Sequence, residues 1–555
     1  MTRQLLLPVM LTCLGLAARA DMLPDRQAGD EFQVNSQEYG DQRVPFVAVH
    51  PDGNGLVIWQ WHGGPVASWD VLARRVDPGG VLPVPEFQVN DFDRGRQDGQ
   101  HLAALPGGGF VAVWSGENRL GEPYVIQARR LDAAAHPIGS DLEVGGVPGE
   151  LNIRPRVVGA EGDRFLVAWE GYDPNDGTLS IHGQWMSAIG AQAGPRLRIS
   201  LQPGTAQRHV DLARNRDGRI LAVWQSSEQD GSSWGVYGRC LDDNGGDSGE
   251  FLINQSTEGA QGRPRAAALG EAGFAVAWQD NRGLSSFEYQ RIMLRHLDTG
   301  CQPRGDEQQV NVFDEGIQDL PAIAAAASGR QVVIWQSNPE NFEDQGIYAR
   351  LVDADGRFHG DPLRVSQERE AYQDFPEAAM LDDDGFIAVW ESIGQDLSGF
   401  GIFARRIHPP RAATLEIVSG NGQSTGVGQA FDRPLVVQVS DQWGVSLPGQ
   451  TVRFIGSEVG AGALFANGGS EQTRLTDGRG LASVEVLANG NSGVHEVHAH
   501  LDGAGLAAGF RLENRGSLLP EPHPVPSGRW PGWLLLVVCV LLTGWLPGRN
   551  GRTAR

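Results

Sequence analysis

Cysteine is scarce in this chain, and positive charge is outweighed. Of four cysteines, Cys13 lies in an N-terminal apolar run and Cys539 in a C-terminal one, which leaves Cys240 and Cys301 in the body. Two isolated cysteines do not make a metal site. They can form one disulfide in an oxidising compartment. The 45 basic residues face 68 acidic ones, for a net charge of −23. That deficit excludes nucleic-acid backbone binding, which needs a Lys/Arg stripe to displace counterions. It suits a soluble, self-repelling exterior in salty medium. Helical periodicity is also missing from the repeated body of the chain. What the N-terminus does carry is one Arg, an apolar stretch Leu5–Leu16 and then Ala18-Arg19-Ala20. Residues 1–20 therefore read as a secretory signal with cleavage before Asp21. Cys13 raises a lipoprotein signal as the alternative, and Met10-Leu11-Thr12 is a poor lead-in for lipidation.

Internal repetition dominates the rest. "EFQVN" occurs at Glu31–Asn35 and Glu86–Asn90, with weaker copies starting at Asp141, Arg196, Glu250, Glu307 and Pro362, a period of 54 to 57 residues. Twenty-eight positions into the copies stand Trp59, Trp114, Trp169, Trp224, Trp278, Trp335 and Trp390. Eleven positions in stand Gln42, Gln97, Asn152, Gln207, Gln261, Gln318 and Gln373. Forty-three positions in, the copies carry Arg74, Arg129, Gln184, Arg239, Arg350 and Arg405, and the fifth copy's Arg295 comes two residues late. Each period holds four strand-like stretches separated by turns such as "PGGG", "PDGNG" and "DDDG". Four short strands per repeat of this length predict the blade of a β-propeller. The Trp-bearing strand, as in "FVAVW", is apolar on both faces, which a strand needs when neighbouring sheets cover both sides. The array opens with an "EFQVN" strand and closes at Ile402–His408 without one. Glu31–Asn35 is therefore expected to pair with Gly401–Ile407 and close a seven-bladed ring over residues 31–408, hiding its edges.

The pattern changes after "HPP" at His408–Pro410. Ser419-Gly420-Asn421-Gly422-Gln423, then Pro434–Pro448 and Thr476–Val486, resemble the bacterial immunoglobulin-like domain of the invasin/intimin type. That resemblance implies a β-sandwich over residues 412–513. A Pro-rich linker at 514–529 leads to an apolar segment at 530–547 and a basic tail at 548–555. The segment is expected to be a transmembrane helix, with the tail cytoplasmic by the positive-inside rule. "VPSGRW" before the apolar run resembles bacterial C-terminal sorting signals of the PEP/IPTL kind. The expectation is an exported protein on the cell surface or the periplasmic side of the membrane, anchored unless the tail is processed.

A row of seven tryptophans could bind sugars, but at the end of a buried strand each is expected to fill the wedge between blades. The Gln/Asn ring could form a polar funnel at a channel mouth. Seven equal copies suit inter-blade linkage better. The arginines are assigned the same bridging role. Variable loops such as "GYDPNDGTLS", "SNPENFEDQG" and "ESIGQDLSGFG" are the place for a ligand or Ca²⁺, although no Ca²⁺ motif is present and no cofactor is expected. "SEQDGSSW" at Ser227–Trp234 resembles the Asp-box turn of sialidases, with Gln229 where the Asp belongs. In "HEVHAH", Glu496, His498 and His500 share a strand face with metal-ligand chemistry, or form a solvated face. Acidic residues are spread over every loop, so no converging carboxylate pair can be singled out. The expectation is a non-catalytic binding or adhesion protein, not an enzyme, with an extracellular glycan or protein ligand, no catalytic residue and no metal. The alternatives are a polysaccharide-acting hydrolase on a propeller scaffold and a purely structural envelope protein.

Overall fold

Glycine- and Asp-rich turns cut each repeat into four strands, and these pair antiparallel in sequence order. The first sheet comprises Asp41–Val49, Gly55–His62, Trp69–Val76 and Phe87–Gln88. This is a computed structural model; it describes residues 30–516 except 38, 51, 64–67, 78–79, 92–94, 118–123, 147–150, 174–176, 243–246, 283–289, 313–315, 339–344, 397–398 and 443. Among the described residues seven such four-stranded sheets follow one another. Each "EFQVN"-type strand is the outer strand of the sheet before it. The seventh sheet takes its outer strand from the far end of the chain, with Glu31, Phe32 and Gln33 opposite Arg405, Ala404 and Phe403. The two described helical elements are single turns of 3-10 type, Glu161–Asp163 and Asp502–Ala504.

The second strand of each sheet is buried on both faces, as its unbroken apolar run requires; all of Phe110–Gly116 is buried. Apolar side chains form a separate cluster between each pair of successive sheets. Leu56 and Ile58 of the first sheet meet Phe110, Ala112 and Trp114 of the second. One cluster joins the two ends of the array, with Val57 and Trp59 packed against Ile387, Val389 and Ile402. All seven repeat tryptophans are at most 2% exposed, and each faces the sheet before its own.

The chain divides at Pro410/Arg411 into two compact units. In the second, a three-stranded sheet (Ala412–Ser419, Leu435–Asp441, Leu481–Val484) and a five-stranded sheet containing Gly493–Leu501 and Leu506–Arg515 surround one apolar core. The alternation is strict along Leu435–Asp441, where Leu435, Val437 and Val439 enter the core. Among the described residues no helix is long and apolar enough to cross a membrane. The expected signal at 1–20, the linker residues 517–529, the membrane segment at 530–547 and the tail at 548–555 lie outside the described residues.

Candidate active site in the central cavity

The first strand of every sheet contributes to a single cavity of about 460 Å³, within the range of small-ligand sites. Each of these strands carries a bulge at the same place in its repeat. There Val44, Gly99, Arg154, His209, Arg263, Leu320 and Phe375 all adopt left-handed φ between 48° and 64°. Six of the seven are not glycine, a conformation that costs about 1–3 kcal/mol each and persists only when neighbours hold it. The neighbours are acceptors one position past the repeat Trp in the preceding sheet. Glu391 takes the Val44 amide (2.7 Å), Glu170 that of His209 (2.8 Å) and Gln225 that of Arg263 (2.8 Å). The first of these again ties the last repeat to the first. The sequence reading missed this ring. Its one signal is a proline immediately after the bulge in five repeats: Pro45, Pro155, Pro264, Pro321 and Pro376.

Two residues past each bulge lies a mid-cavity belt of unlike side chains. Asp211 sits between Arg156 (3.6 Å) and Arg265 (3.5 Å), and Arg265 also pairs with Glu377. Both guanidiniums lie over the Phe46 ring, at 5.0 and 5.7 Å. His101 packs edge-on against Phe46, and its Nδ1 faces the Val157 amide at 3.2 Å. Burial, with Arg156 and Arg265 beside it, holds its pKa well below the usual histidine value. Burial first, then Arg265, brings Arg156 down to about 10. The charges of this belt pair with one another, and removing Asp211 or Glu377 would leave a buried guanidinium under-paired.

The residues just before the bulges differ. Asp319 and Asp374 precede the lining residues Leu320 and Phe375 on the adjoining inner strands of the sixth and seventh sheets. Among the described residues Asp319 Oδ1 is buried without a hydrogen-bond partner, and Asp374 accepts the neighbouring Phe375 amide alone (2.8 Å). Burial, together with Glu391 and Asp319, pushes Asp374 up to about 7. Burial also raises Asp319, with Arg263 opposing it. Burial thus favours the protonated form of both carboxyls, and each carboxylate disfavours ionisation of the other.

The sequence-singled residues lie elsewhere. Gln42, Gln97, Asn152, Gln207, Gln261, Gln318 and Gln373 are at most 1% exposed and stand at the start of the first strands, outside the cavity lining. Three accept a tryptophan indole N–H: Gln97 from Trp114 (3.0 Å), Asn152 from Trp169 (3.2 Å) and Gln318 from Trp335 (2.9 Å). The others take a donor from the preceding strand's end, as Gln373 does from Ser366 at 3.1 Å. Among the described residues the indole N–H of Trp59, Trp224, Trp278 and Trp390 has no partner. The repeat arginines reach the outer strand of the sheet before: Arg74 to the Val34 carbonyl (2.7 Å), Arg350 to Val310 (2.8 Å), Arg405 to Val365 (2.8 Å). Where the third copy has Gln184 instead, Gln192 makes the equivalent bond to Val144 at 2.9 Å. Cys240 and Cys301 are joined as a disulfide, Cα atoms 6.2 Å apart. Glu496 and His498 pair on an exposed face at 3.3 Å, and no described group of three His, Cys, Asp or Glu side chains is placed to hold a metal ion. In the variable loops, residues 118–123, 174–176, 339–344 and 397–398 lie outside the described residues.

No family model matches the chain, and no curated protein sequence matches it. Solved structures do. A protein of unknown function from Dyadobacter fermentans is 12% identical, covering 69% of this chain and 98% of its own, with a TM-score of 0.42. An α-L-arabinanase of Penicillium chrysogenum, solved with arabinobiose, is 11% identical over 59% of this chain and 99% of its own, TM-score 0.40. The NanB sialidase of Streptococcus pneumoniae is 10% identical over 68% and 70%, TM-score 0.39. These are likenesses of chain path and carry no activity across. The expectation that the protein is not an enzyme is nonetheless corrected. Asp319 and Asp374, which the sequence did not single out, are two buried carboxyls close enough to act on one another beside the cavity. They were hidden because Asp319 and Asp374 look like two more acidic loop residues until the repeats are folded side by side.

Proposed function

We propose that this chain is an exported glycoside hydrolase acting on polysaccharide at the central cavity of a closed seven-bladed propeller. The observation that carries the reading is the Asp319/Asp374 pair, with one carboxyl poised to hold a proton near neutral pH and Arg263 close enough to act on both. Asp374 donates its proton to the glycosidic oxygen as the bond to the anomeric carbon breaks. Asp319, beside the Arg263 guanidinium, takes a proton from the attacking water, whose oxygen bonds that carbon.

Residues 31–408 form the catalytic head in this reading, and 412–513 an immunoglobulin-like stalk of the invasin/intimin type. The Cys240–Cys301 disulfide supports export, since such bonds persist in oxidising compartments. Residues 1–20 direct that export, and the linker at 514–529, segment at 530–547 and tail at 548–555 hold or sort the body on the outer side. The partner is an extracellular glycan.

The test is release of reducing ends from a panel of neutral and acidic polysaccharides. Asp374→Asn and Asp319→Asn each lose activity by about 100-fold or more with the melting temperature kept. No release by the wild type across the panel, or undiminished release by both variants, overturns the assignment.

A further inference from the structure

Charge is segregated around the cavity. The inner strands of the third, fourth and fifth sheets bring Arg154, Arg156, Arg208, Arg263 and Arg265 to one side. Three carboxylates pair with four of these guanidiniums, and Asp319 and Asp374 on the sixth and seventh sheets act on the fifth, Arg263, without an ion pair among the described residues. Glu170 faces Arg154 (3.1 Å) and Arg208 (3.7 Å). Asp211 and Glu377 are taken up by Arg156 and Arg265 in the belt. The guanidinium of Arg263 has no ion pair or hydrogen bond among the described residues, although it lines the cavity. In a chain of net charge −23, a cationic wall on one side of a cavity, facing Asp319 and Asp374 on the other, is a local arrangement and not a by-product of composition.

His209 stands between Arg154 and Arg263, at the same bulge position in the intervening repeat. Burial, then Arg263, Arg154, Arg156 and Arg208, hold its pKa down at about 2, so it is a neutral imidazole that adds an N–H without adding charge. Its ring has no hydrogen-bond partner among the described residues. Two forked cations flanking a neutral N–H are suited to a planar oxyanion. Phe46 is covered by Arg156 and Arg265, which leaves Phe375 as the other aromatic of the lining.

We propose that the substrate is an acidic polysaccharide, with a uronate carboxylate held by Arg263 and Arg154 around His209 and the scissile bond directed to Asp319 and Asp374. This rests on the hydrolase reading and adds the substrate class to it.

The test is calorimetric titration of the Asp374→Asn protein with tri-galacturonate, with its methyl ester and with sodium sulfate. The ester keeps the shape and removes the charge. The expected result is at least tenfold tighter binding of the acid than of the ester, narrowing in 0.5 M salt. Adding Arg263→Met brings the acid down to the level of the ester. Arg263→Lys keeps most of the preference. Arg263→Met breaks no ion pair or side-chain hydrogen bond among the described residues, so the melting temperature stays near that of the wild type. Equal affinity for acid and ester overturns the proposal, as does sulfate that displaces the trimer at equal concentration, which would make the site one for a small inorganic anion. Charge-dependent binding without cleavage of any glycan by the wild type would sink the hydrolase reading and leave the anion site standing. Cleavage of a neutral glycan, with acid and ester bound alike, would do the reverse.

Discussion

Replacing Glu391 by alanine strikes the seam where the last repeat meets the first. Its side chain is fully buried, accepting the Val44 amide at 2.7 Å and Arg43 at 3.0 Å. Alanine leaves that amide unpaired in a left-handed, β-branched residue at φ 53°. A lost charge-assisted hydrogen bond costs about 1.5–3 kcal/mol, and breaking a buried pair about 3–5 kcal/mol. Arg43 is 33% exposed and can turn to water, so the lower end applies, about 2–3 kcal/mol. With an unfolding entropy of about 2 cal/mol/K per residue, the first unit should melt about 3 °C lower. Glutamine behaves differently, because Gln225 already does this job for Arg263 at 2.8 Å. Glu391→Gln should stay within about 1 kcal/mol of the wild type. The pH dependence separates the two. Burial raises the Glu391 pKa, with the Val44 amide and Arg43 opposing it and Asp41 adding to it. The folded protein therefore keeps this proton to higher pH than the unfolded chain does. The contribution is complete below the unfolded carboxylate value and is lost as pH rises through the folded one. Glu391→Gln lacks that loss, so its melting temperature relative to wild type should climb between pH 4 and 8 in thermal scans. A neutral alanine variant, a glutamine variant as damaged as alanine, or a pH-independent difference would each refute the reasoning.

Hydrolytic activity should fall as pH rises through about 7, when Asp374 loses its proton beside Glu391, Asp319 and Arg263; Glu391→Gln, by removing one neighbouring negative charge, should move that limb to lower pH in a kcat/KM profile. Trp335→Phe should cost more than Trp278→Phe in denaturant titrations, by about 1–3 kcal/mol, because only the first strands a buried acceptor, Gln318. Reduction of the Cys240–Cys301 bond, which spans 61 residues, should lower stability by about 2–4 kcal/mol, read as a melting shift with and without reductant.

How much was legible in the residues follows from range. The repeat period, the strand order and the buried second strand are local, and so is the missing partner strand that Glu31–Gln33 supplies to the seventh sheet. The tryptophans could be placed because a strand apolar on both faces has one destination. The bulge ring left one faint trace, the proline after it, because what holds the left-handed residue is an acceptor in another sheet. The carboxylate pair left none. Asp319 and Asp374 are 55 residues apart, and Arg263 is 56 residues before the first of them. A radial array sets successive repeats side by side, so residues one period apart become neighbours around a shared axis. Residue order alone therefore determined the period, the strands and the wedge of each sheet, since neighbours along the chain decide those. Which of the many scattered charges face one another, stay unpaired and lose their water was decided only by the tertiary structure, because desolvation and opposing charge exist only where distant repeats meet.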